Sequence, residues 1–410
     1  MPDAPVPPAG SGESRGRVLG CFALLLVALH ITVGPRVRLG EWTVRGEDNG
    51  NYAEALAWHD GRLDLSHRLF DSAMHDGRVY NIYPPLFSFV SYATIALQHR
   101  QGVADDPMYR PWYVALVALP LPVVGFWAWR RMLGDSVRAA AMTFVWIAGT
   151  PILPLAAGCR VGSMGSVNQL LSQTGIMLLL GARGPQFKTG VASLGLLIAA
   201  WTRPAMLALA VPVLIEAWAA DPRGRMRRVA GVASVVGGAA AVLLLLNWLK
   251  FGSPWESGHG LIYAGRDDDL ARRAAVGVFS WLHVPRNAWY MFVECPSWRI
   301  DAAGFRLMPD SDGASIWLAT PLLLYALVDA RRWWRDGRRR LWMFASMFTL
   351  AIVLTYHCTG YVQPGYYRYA LDFVPVWLAM SADGMWGGRR TRWTIAAMAW
   401  SCLYFNLLPY

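Results

Sequence analysis

Long apolar runs recur along almost the whole chain, and they constrain its fold more than any other feature. A helix that crosses the hydrocarbon core of a bilayer needs about 20 mostly apolar residues. The runs therefore predict an all-α membrane protein, a polytopic helical bundle with about 11–12 membrane segments. The candidate runs are 18–34, 111–129, 139–157, 166–182, 189–202, 204–219, 229–249, 314–329, 341–357, 369–382 and 393–409.

The composition excludes a pair of soluble domains. Apolar types make up 55 % of the 410 residues and charged types 16 %, whereas soluble domains usually carry about 25 % charged residues. The 21 tryptophans are typical of side chains at a membrane–water interface. We therefore predict one polytopic membrane domain over 18–410, preceded by a disordered cytoplasmic N-terminus, 1–17.

The net charge of +11 does not indicate nucleic-acid binding, because the basic residues form short clusters between apolar runs rather than one polar face. With the N-terminus inside, the predicted cytoplasmic loops hold 20 Lys and Arg against 6 Asp and Glu. The two long loops on the other side, 35–83 and 250–313, hold 13 against 16. This asymmetry predicts that both long loops are external. It requires the short run 84–98 to be partial or re-entrant, unless two adjacent short runs merge.

The first external loop combines acidic residues with a helical pattern. Tyr52, Ala55, Leu56 and Leu63 recur at helical spacing, which predicts a helix on the membrane surface. Asp48 would stand at the N-terminal end of that helix, where the helix dipole favours a carboxylate. Asp48 could cap the helix, which is the commoner role of Asp there. Alternatively, it could be a general base or a metal-binding acid beside a membrane-embedded substrate.

Two further loop segments border apolar runs. Residues 76–86 begin with Asp-Gly, which is a turn signal, and lead through Tyr83 into Pro-Pro ahead of the next helix. Residues 247–260 contain the Gly, Ser and Pro that would end a helix, followed by the polar pair Glu256 and His259. In both segments a structural turn is the simpler interpretation, and a substrate contact is the alternative.

Two arginines lie beside predicted membrane segments. Arg368 stands at the outer mouth of a segment with Asp372 one helical turn further on, so the two could pair. Arg203 is isolated between two apolar runs and could extend its charge to the headgroup region. Charges at membrane depth are costly and usually functional, and arginine binds phosphate through two parallel hydrogen bonds. A lipid-linked phosphate is therefore the functional alternative for both.

These segments, in this order, resemble the GT-C superfamily of integral-membrane glycosyltransferases, including the protein O-mannosyltransferase (glycosyltransferase family 39) and aminoarabinose transferase group. Members place Asp-Glu-x-x-Tyr in the first external loop, and Asp48 and Tyr52 match its first and last positions, while Asn49 replaces the second acid. The other matching positions are Gly77, 80–86, Arg203, Asn247, 251–254, Gly258 and 368–373.

The resemblance implies a donor sugar carried on a polyprenyl phosphate and a transfer that inverts the anomeric carbon. It places the reaction at the external, periplasmic face of a bacterial-type inner membrane, with a glycan, lipid or protein as acceptor. It implies that Asp48 is catalytic and that Arg368 and Arg203 bind the donor phosphate. The implied substrate-binding residues are Tyr52, Tyr83, Glu256, His259 and Asp372.

Other functions stay open. The residues indicate no cofactor for certain and leave a divalent cation as an alternative, because Asn49 in place of the second acid leaves open any metal or donor contact assigned to that acid. A transporter or flippase of lipid-linked sugars would also use intramembrane charges, although the sequence has no internal repeat of the kind many transporters contain. A non-catalytic GT-C-like membrane protein is the third alternative, since a fold does not guarantee its activity.

Overall fold

The structure of the chain is a computed structural model. The structure describes residues 13–39, 49–69, 71–100, 110–158, 164–184, 186–263, 266–301, 304–358 and 368–408. Most of them are helical, and the predicted all-α class is confirmed, because every predicted apolar run coincides with helix.

The first half of the chain contains α1 (Arg15–Thr32), α2 (Gly34–Val37), α3 (Gly50–His59), β1 (Ser72–His75), β2 (Arg78–Asn81), α4 (Leu86–Arg100), α5 (Arg110–Val117), α6 (Pro120–Leu133), α7 (Ser136–Ala148), α8 (Ile152–Gly158), α9 (Met164–Ala182) and α10 (Thr189–Thr202). The second half contains α11 (Ala210–Ala219), α12 (Arg225–Phe251), α13 (Asp269–Ala275), α14 (Val284–Phe292), β3 (Ser297–Asp301), β4 (Gly304–Met308), α15 (Ile316–Ala319), α16 (Leu324–Val328), α17 (Ala330–Arg335), α18 (Gly337–Thr355), α19 (Val374–Met385) and α20 (Arg389–Asn406). Short 3-10 turns lie at Pro204–Leu209, Leu261–Tyr263, Trp281–His283, Pro321–Leu323 and Arg368–Asp372.

Fewer helices are uninterrupted spans than the run count predicts. Among the described residues, three helical stretches are long and apolar enough to cross a membrane: Arg15–Thr32, Tyr113–Leu133, which includes parts of α5 and α6, and Arg225–Phe251. The pair α7 and α8, bent by 54°, is a fourth if it counts as one span. Proline accounts for two of the breaks, because it lacks the backbone N–H and fixes its φ angle. The run 204–219 opens as a 3-10 turn at Pro204, and the run 314–329 is broken at Pro321. The apolar helices fit a multi-pass membrane protein.

The core forms around α9. This helix packs against α10, α6 and α8, and α10 packs in turn against α12. Large aromatic side chains fill the interior, among them the fully buried Trp129, Trp146 and Trp342. By contrast, only 11 % of the apolar window of α1 and of α12 is buried inside the protein. An apolar helix with most of its surface outward fits contact with lipid.

The described part of the loop 35–83 folds against the bundle. The helix predicted from the Tyr52 pattern is present as α3, where Tyr52, Ala55 and Ala57 are buried and the helix packs on α4. β1 and β2 pair antiparallel beside it. α4 covers the run 84–98 with 15 residues, a length of about 22 Å at 1.5 Å per residue. That is short of a hydrocarbon core of about 30 Å, in keeping with a partial element.

Candidate functional site

A cavity of about 530 Å³ opens between residues of the loops 35–83 and 250–313 and the adjoining ends of α9, α10 and α12. One part of its wall is polar and carries charged side chains from four distant segments. The other part is apolar and is formed mainly by Leu207 and the α12 residues Ala240, Leu243, Leu244 and Leu246. A cavity with a charged end and an apolar wall suits an amphiphilic ligand.

The first charged group of this wall is an ion pair between Arg203 and Asp372. The Arg203 Nη2 lies 2.6 Å from the Asp372 Oδ2, and its Nε lies 3.1 Å from the same oxygen. Gln169 of α9 donates to the Asp372 Oδ1 at 2.8 Å. The Asp372 side chain is 0 % exposed and that of Arg203 26 %. Asp372 therefore pairs with Arg203, not with Arg368 as local spacing allowed, and it neutralises the Arg203 charge.

Arg368 is the second arginine of the cavity wall, and its surroundings differ. Its guanidinium lies 5.1 Å from the ring centroid of Tyr369, and its Nη2 donates to the Tyr369 hydroxyl at 3.4 Å. Its Nε is buried without a hydrogen-bond partner. Within the described residues no carboxylate forms an ion pair with Arg368, so its guanidinium keeps a donor, the Nε, for another partner. A corner of the cavity with such a donor can bind an anion.

A buried polar network borders the same cavity, and sequence reasoning missed it. Lys250, at the end of α12, forms an ion pair with Glu54 of α3, and the two side chains are 5 % and 0 % exposed. Asn81 and Ser88 donate to the Glu54 Oε2 at 2.8 and 2.5 Å, and Lys250 donates to the Asn81 carbonyl at 2.9 Å. The network ties α3 to α4 and α12. A lysine at the end of a membrane helix was the available signal.

Asn51 extends this network to the centre of the bundle. Its amide nitrogen donates to the Ser88 hydroxyl at 2.9 Å and to the Pro84 carbonyl at 3.0 Å. Asn168 of α9 donates to the Asn51 Oδ1 at 3.1 Å. The first turn of α3 is therefore held at a fixed position against α9 as well as α12.

Tyr83 and Asp71 meet inside the cavity. The Tyr83 hydroxyl donates to the Asp71 Oδ2 at 2.6 Å, and both residues line the wall. Burial raises the pKa of Tyr83 well above its usual range, and the neighbouring Asp71 charge raises it further. Tyr83 is thus a protonated hydrogen-bond donor that holds Asp71. Asp71 has no motif around it in the sequence, and only the fold brings its carboxylate to the cavity.

The remaining predicted site residues divide between the cavity and its surroundings. His259 lines the cavity, and its Nδ1 lies 3.0 Å from the Ser257 hydroxyl. Burial lowers the pKa of His259, and the Arg203 charge lowers it further, so the ring is neutral at physiological pH. Glu256 does not line this cavity and accepts a hydrogen bond from the backbone N–H of Gly258 at 2.7 Å. Tyr52 is buried in the hydrophobic core of the bundle.

The predicted catalytic residue, Asp48, lies outside the described residues. The next residue, Asn49, is fully buried and caps α3, because its side chain accepts a hydrogen bond from the Tyr52 backbone N–H. The capping role considered for Asp48 is thus filled by Asn49. Within the described part of the chain, no three His, Cys, Asp or Glu side chains lie together so that they could hold a metal ion.

No protein-family model matches the sequence, and a search of curated proteins finds no match. Among solved structures, the chain is similar in fold to the crystal structure of ArnT from Cupriavidus metallidurans bound to undecaprenyl phosphate, with 14 % identity and a TM-score of 0.47. It is also similar to the apo structure of the same protein, with 15 % identity and a TM-score of 0.43.

Both matches cover 94 % of this chain, which spans 63 % and 62 % of the two ArnT chains. With TM-scores this low, nothing about the chemistry of this chain follows from the likeness.

Proposed function

We propose that the protein transfers a sugar from a polyprenyl-phosphate donor to a hydroxyl-bearing acceptor at the external, periplasmic face of the inner membrane. The observation that supports this proposal is that Arg368, which forms no ion pair among the described residues and has a buried Nε without a hydrogen-bond partner, lines the same cavity as an apolar wall. A phosphate needs a cation that no protein carboxylate already neutralises, and an isoprenoid chain needs an apolar surface.

The charges of the described cavity residues favour Arg368 as the phosphate ligand. Arg203 is neutralised by Asp372, and Lys250 is neutralised by Glu54. Arg368 forms no such pair within the described ranges. Its planar guanidinium offers two parallel N–H donors that match two phosphate oxygens. Arg203 lies against the same Tyr369 ring. It then contributes by holding the cavity wall in place and by the part of its positive charge that Asp372 does not cancel.

The reaction we propose is a single displacement. The acceptor oxygen attacks the anomeric carbon while the bond from that carbon to the phosphate oxygen breaks, and the electron pair of this bond leaves with the polyprenyl phosphate. Asp48 accepts the acceptor's proton, and Arg368 stabilises the phosphate charge as the bond breaks. Attack opposite the leaving group inverts the anomeric carbon.

Two features support Asp48 as the base. It directly precedes Asn49, which caps α3 and is fully buried. The network of Asn51 and Glu54 holds this end of α3 in place. It also matches the acid of the family motif. The external location follows from the charge asymmetry of the loops, because the cavity is built from both loops predicted to be external.

The test compares Asp48→Asn with Glu47→Gln, a matched loss of one carboxylate at the preceding position. Both proteins, purified in detergent, are assayed for sugar release from a mixture of polyprenyl-phosphate sugars. We expect Asp48→Asn to lower turnover by about 10²–10⁴-fold, the usual contribution of a general base, and Glu47→Gln to be milder. Binding of polyprenyl phosphate should persist in both. Wild-type turnover in Asp48→Asn, or release in inside-out but not right-side-out sealed vesicles, would contradict the proposal.

A further inference from the structure

The hairpin formed by β3 and β4, called here the 297–308 hairpin, has an apolar face and, opposite it, a face with two arginines. In its register Trp298 lies opposite Leu307, and Ile300 lies opposite Phe305. Opposed residues in an antiparallel pair project to the same face, and the face alternates at each residue. These four apolar side chains therefore share one face, while the opposed pair Arg299 and Arg306 lies on the other.

Most of the apolar face is exposed. Trp298, Ile300 and Phe305 are 66 %, 70 % and 46 % exposed, and the Trp298 and Phe305 rings stack with centroids 6.4 Å apart. Leu307 alone of this face packs against the core. Leaving such a surface in water costs about 25 cal/mol per Å². A contiguous exposed apolar surface of this kind marks a contact with lipid or with another protein.

Two hydrogen bonds define the height of the hairpin relative to the membrane. The Leu307 N–H donates to the carbonyl of Leu407 at 3.1 Å, one residue beyond the end of α20. The preceding carbonyl, that of Asn406, accepts a hydrogen bond from Arg36 at 2.5 Å. Arg36 lies in α2, directly after α1, which is long and apolar enough to cross a membrane. The hairpin is therefore attached at the level where this span ends.

We propose that the 297–308 hairpin is an interfacial membrane anchor. Its apolar face inserts among the lipids of the external leaflet, with Trp298 at the boundary between headgroups and acyl chains. Arg299 and Arg306, on the opposite face, lie at the level of the lipid phosphates. This inference does not depend on the reaction that the cavity performs.

Three observations favour lipid as the occupant of this face. The hairpin is attached beside the outer end of a span, so its exposed face is within reach of the bilayer surface. Tryptophan prefers this interface. A basic side opposite an apolar side is the pattern of elements that lie in the headgroup region, where the positive charge complements lipid phosphate. A second copy of the chain is the competing occupant, and the experiment distinguishes the two.

The test introduces the photoreactive residue p-benzoyl-phenylalanine at Trp298 in one full-length protein and at Arg299 in another. Each protein is reconstituted in vesicles of phosphatidylcholine and phosphatidylglycerol whose acyl chains carry an alkyne tag, and is then irradiated. We expect several-fold more tagged lipid on the protein labelled at Trp298, because adjacent strand positions face opposite sides. The same comparison of Phe305 with Arg306 tests the second strand independently. It takes the place of the first comparison if the protein labelled at Trp298 or Arg299 does not elute from a size-exclusion column as a single species.

Equal labelling of the two faces, or no labelling of either, would overturn the proposal. A cross-linked dimer in place of lipid adduct at Trp298 and Phe305 would overturn it in favour of a second copy of the chain.

Discussion

Arg203 and Arg368 line the same cavity and lie against the same aromatic ring, Tyr369, yet their charges are used differently. Arg203 makes a bidentate contact with a fully buried carboxylate, that of Asp372, which Gln169 also holds. Arg368 has no carboxylate partner among the described residues and leaves its Nε without a hydrogen bond. An arginine paired with a buried carboxylate supports the fold, whereas one with a donor to spare can bind a ligand.

The largest effect should come from breaking the Arg203 pair. Asp372→Asn keeps the shape of the side chain but leaves the Arg203 guanidinium uncompensated, and removing one partner of a buried ion pair costs about 3–5 kcal/mol. We expect a drop of this size in the free energy of unfolding, measured by denaturant titration in detergent. Replacing both partners, Arg203→Met with Asp372→Leu, should recover most of it. If Arg368→Gln lowered the free energy of unfolding by the same amount, the two arginines would not differ in their contribution to stability.

The next effect concerns ligand binding at Arg368. Arg368→Lys keeps the charge and loses the parallel N–H donors, and a hydrogen bond to a charged group contributes about 1.5–3 kcal/mol. We therefore expect the affinity for polyprenyl phosphate, measured by calorimetry, to fall by about 10–100-fold, with little change in stability. Arg272→Lys, at an exposed position of the loop 250–313, is the matched control. Unchanged affinity in Arg368→Lys would assign Arg368 a structural role.

A smaller effect is expected at Gly165, which tests the position of Arg368 without removing it. A Cβ atom at Gly165 would lie 2.5 Å from the Arg368 Nη1 and 3.1 Å from its Cζ, so Gly165→Ala must displace the guanidinium. We predict a several-fold loss of affinity for polyprenyl phosphate. Gly237→Ala, in α12 with nothing within 4 Å of the added atom, should leave binding unchanged. Full affinity in Gly165→Ala would mean that the observed rotamer is not the binding one.

The smallest effect is a pH dependence at His259. Burial and the Arg203 charge lower the pKa of this histidine in the folded protein, while the unfolded chain keeps a value of about 6.5. As pH falls below about 6.5, the unfolded state takes up the proton first, so stability declines toward the lowered pKa. His259→Gln should flatten this part of the curve of unfolding temperature against pH. An identical slope in wild type and variant would contradict the lowered pKa.

The helices were predictable because apolar runs of this length leave the chain few alternatives in a membrane. The breaks at Pro204 and Pro321 also had a local signal. The burial of α3 had no local signal in the sequence. The spacing of Tyr52, Ala55 and Leu56 defines an apolar face but does not say whether protein or lipid covers it.

The site was predictable only in part. Arg203 and Arg368 stood out because charges beside apolar runs are rare. Their partners did not, because sequence rules reach one helical turn, whereas Arg203 and Asp372 are 169 positions apart. The local rule therefore offered Arg368 as the partner of Asp372. A comparably large separation in sequence hid the pair of Lys250 and Glu54. The position of Asp71 depends on the fold of the loop that precedes Tyr83.

The apolar wall of the cavity belongs to α12, most of whose surface faces outward. A ligand whose chain lies along Leu243 and Leu244 therefore reaches the charged corner by lateral diffusion in two dimensions. Its occupancy depends on its mole fraction among the surrounding lipids and not on its molarity in water. Apparent affinities measured in micelles should accordingly weaken as detergent is added at constant ligand, a surface dilution that a ligand taken from the aqueous phase would not undergo.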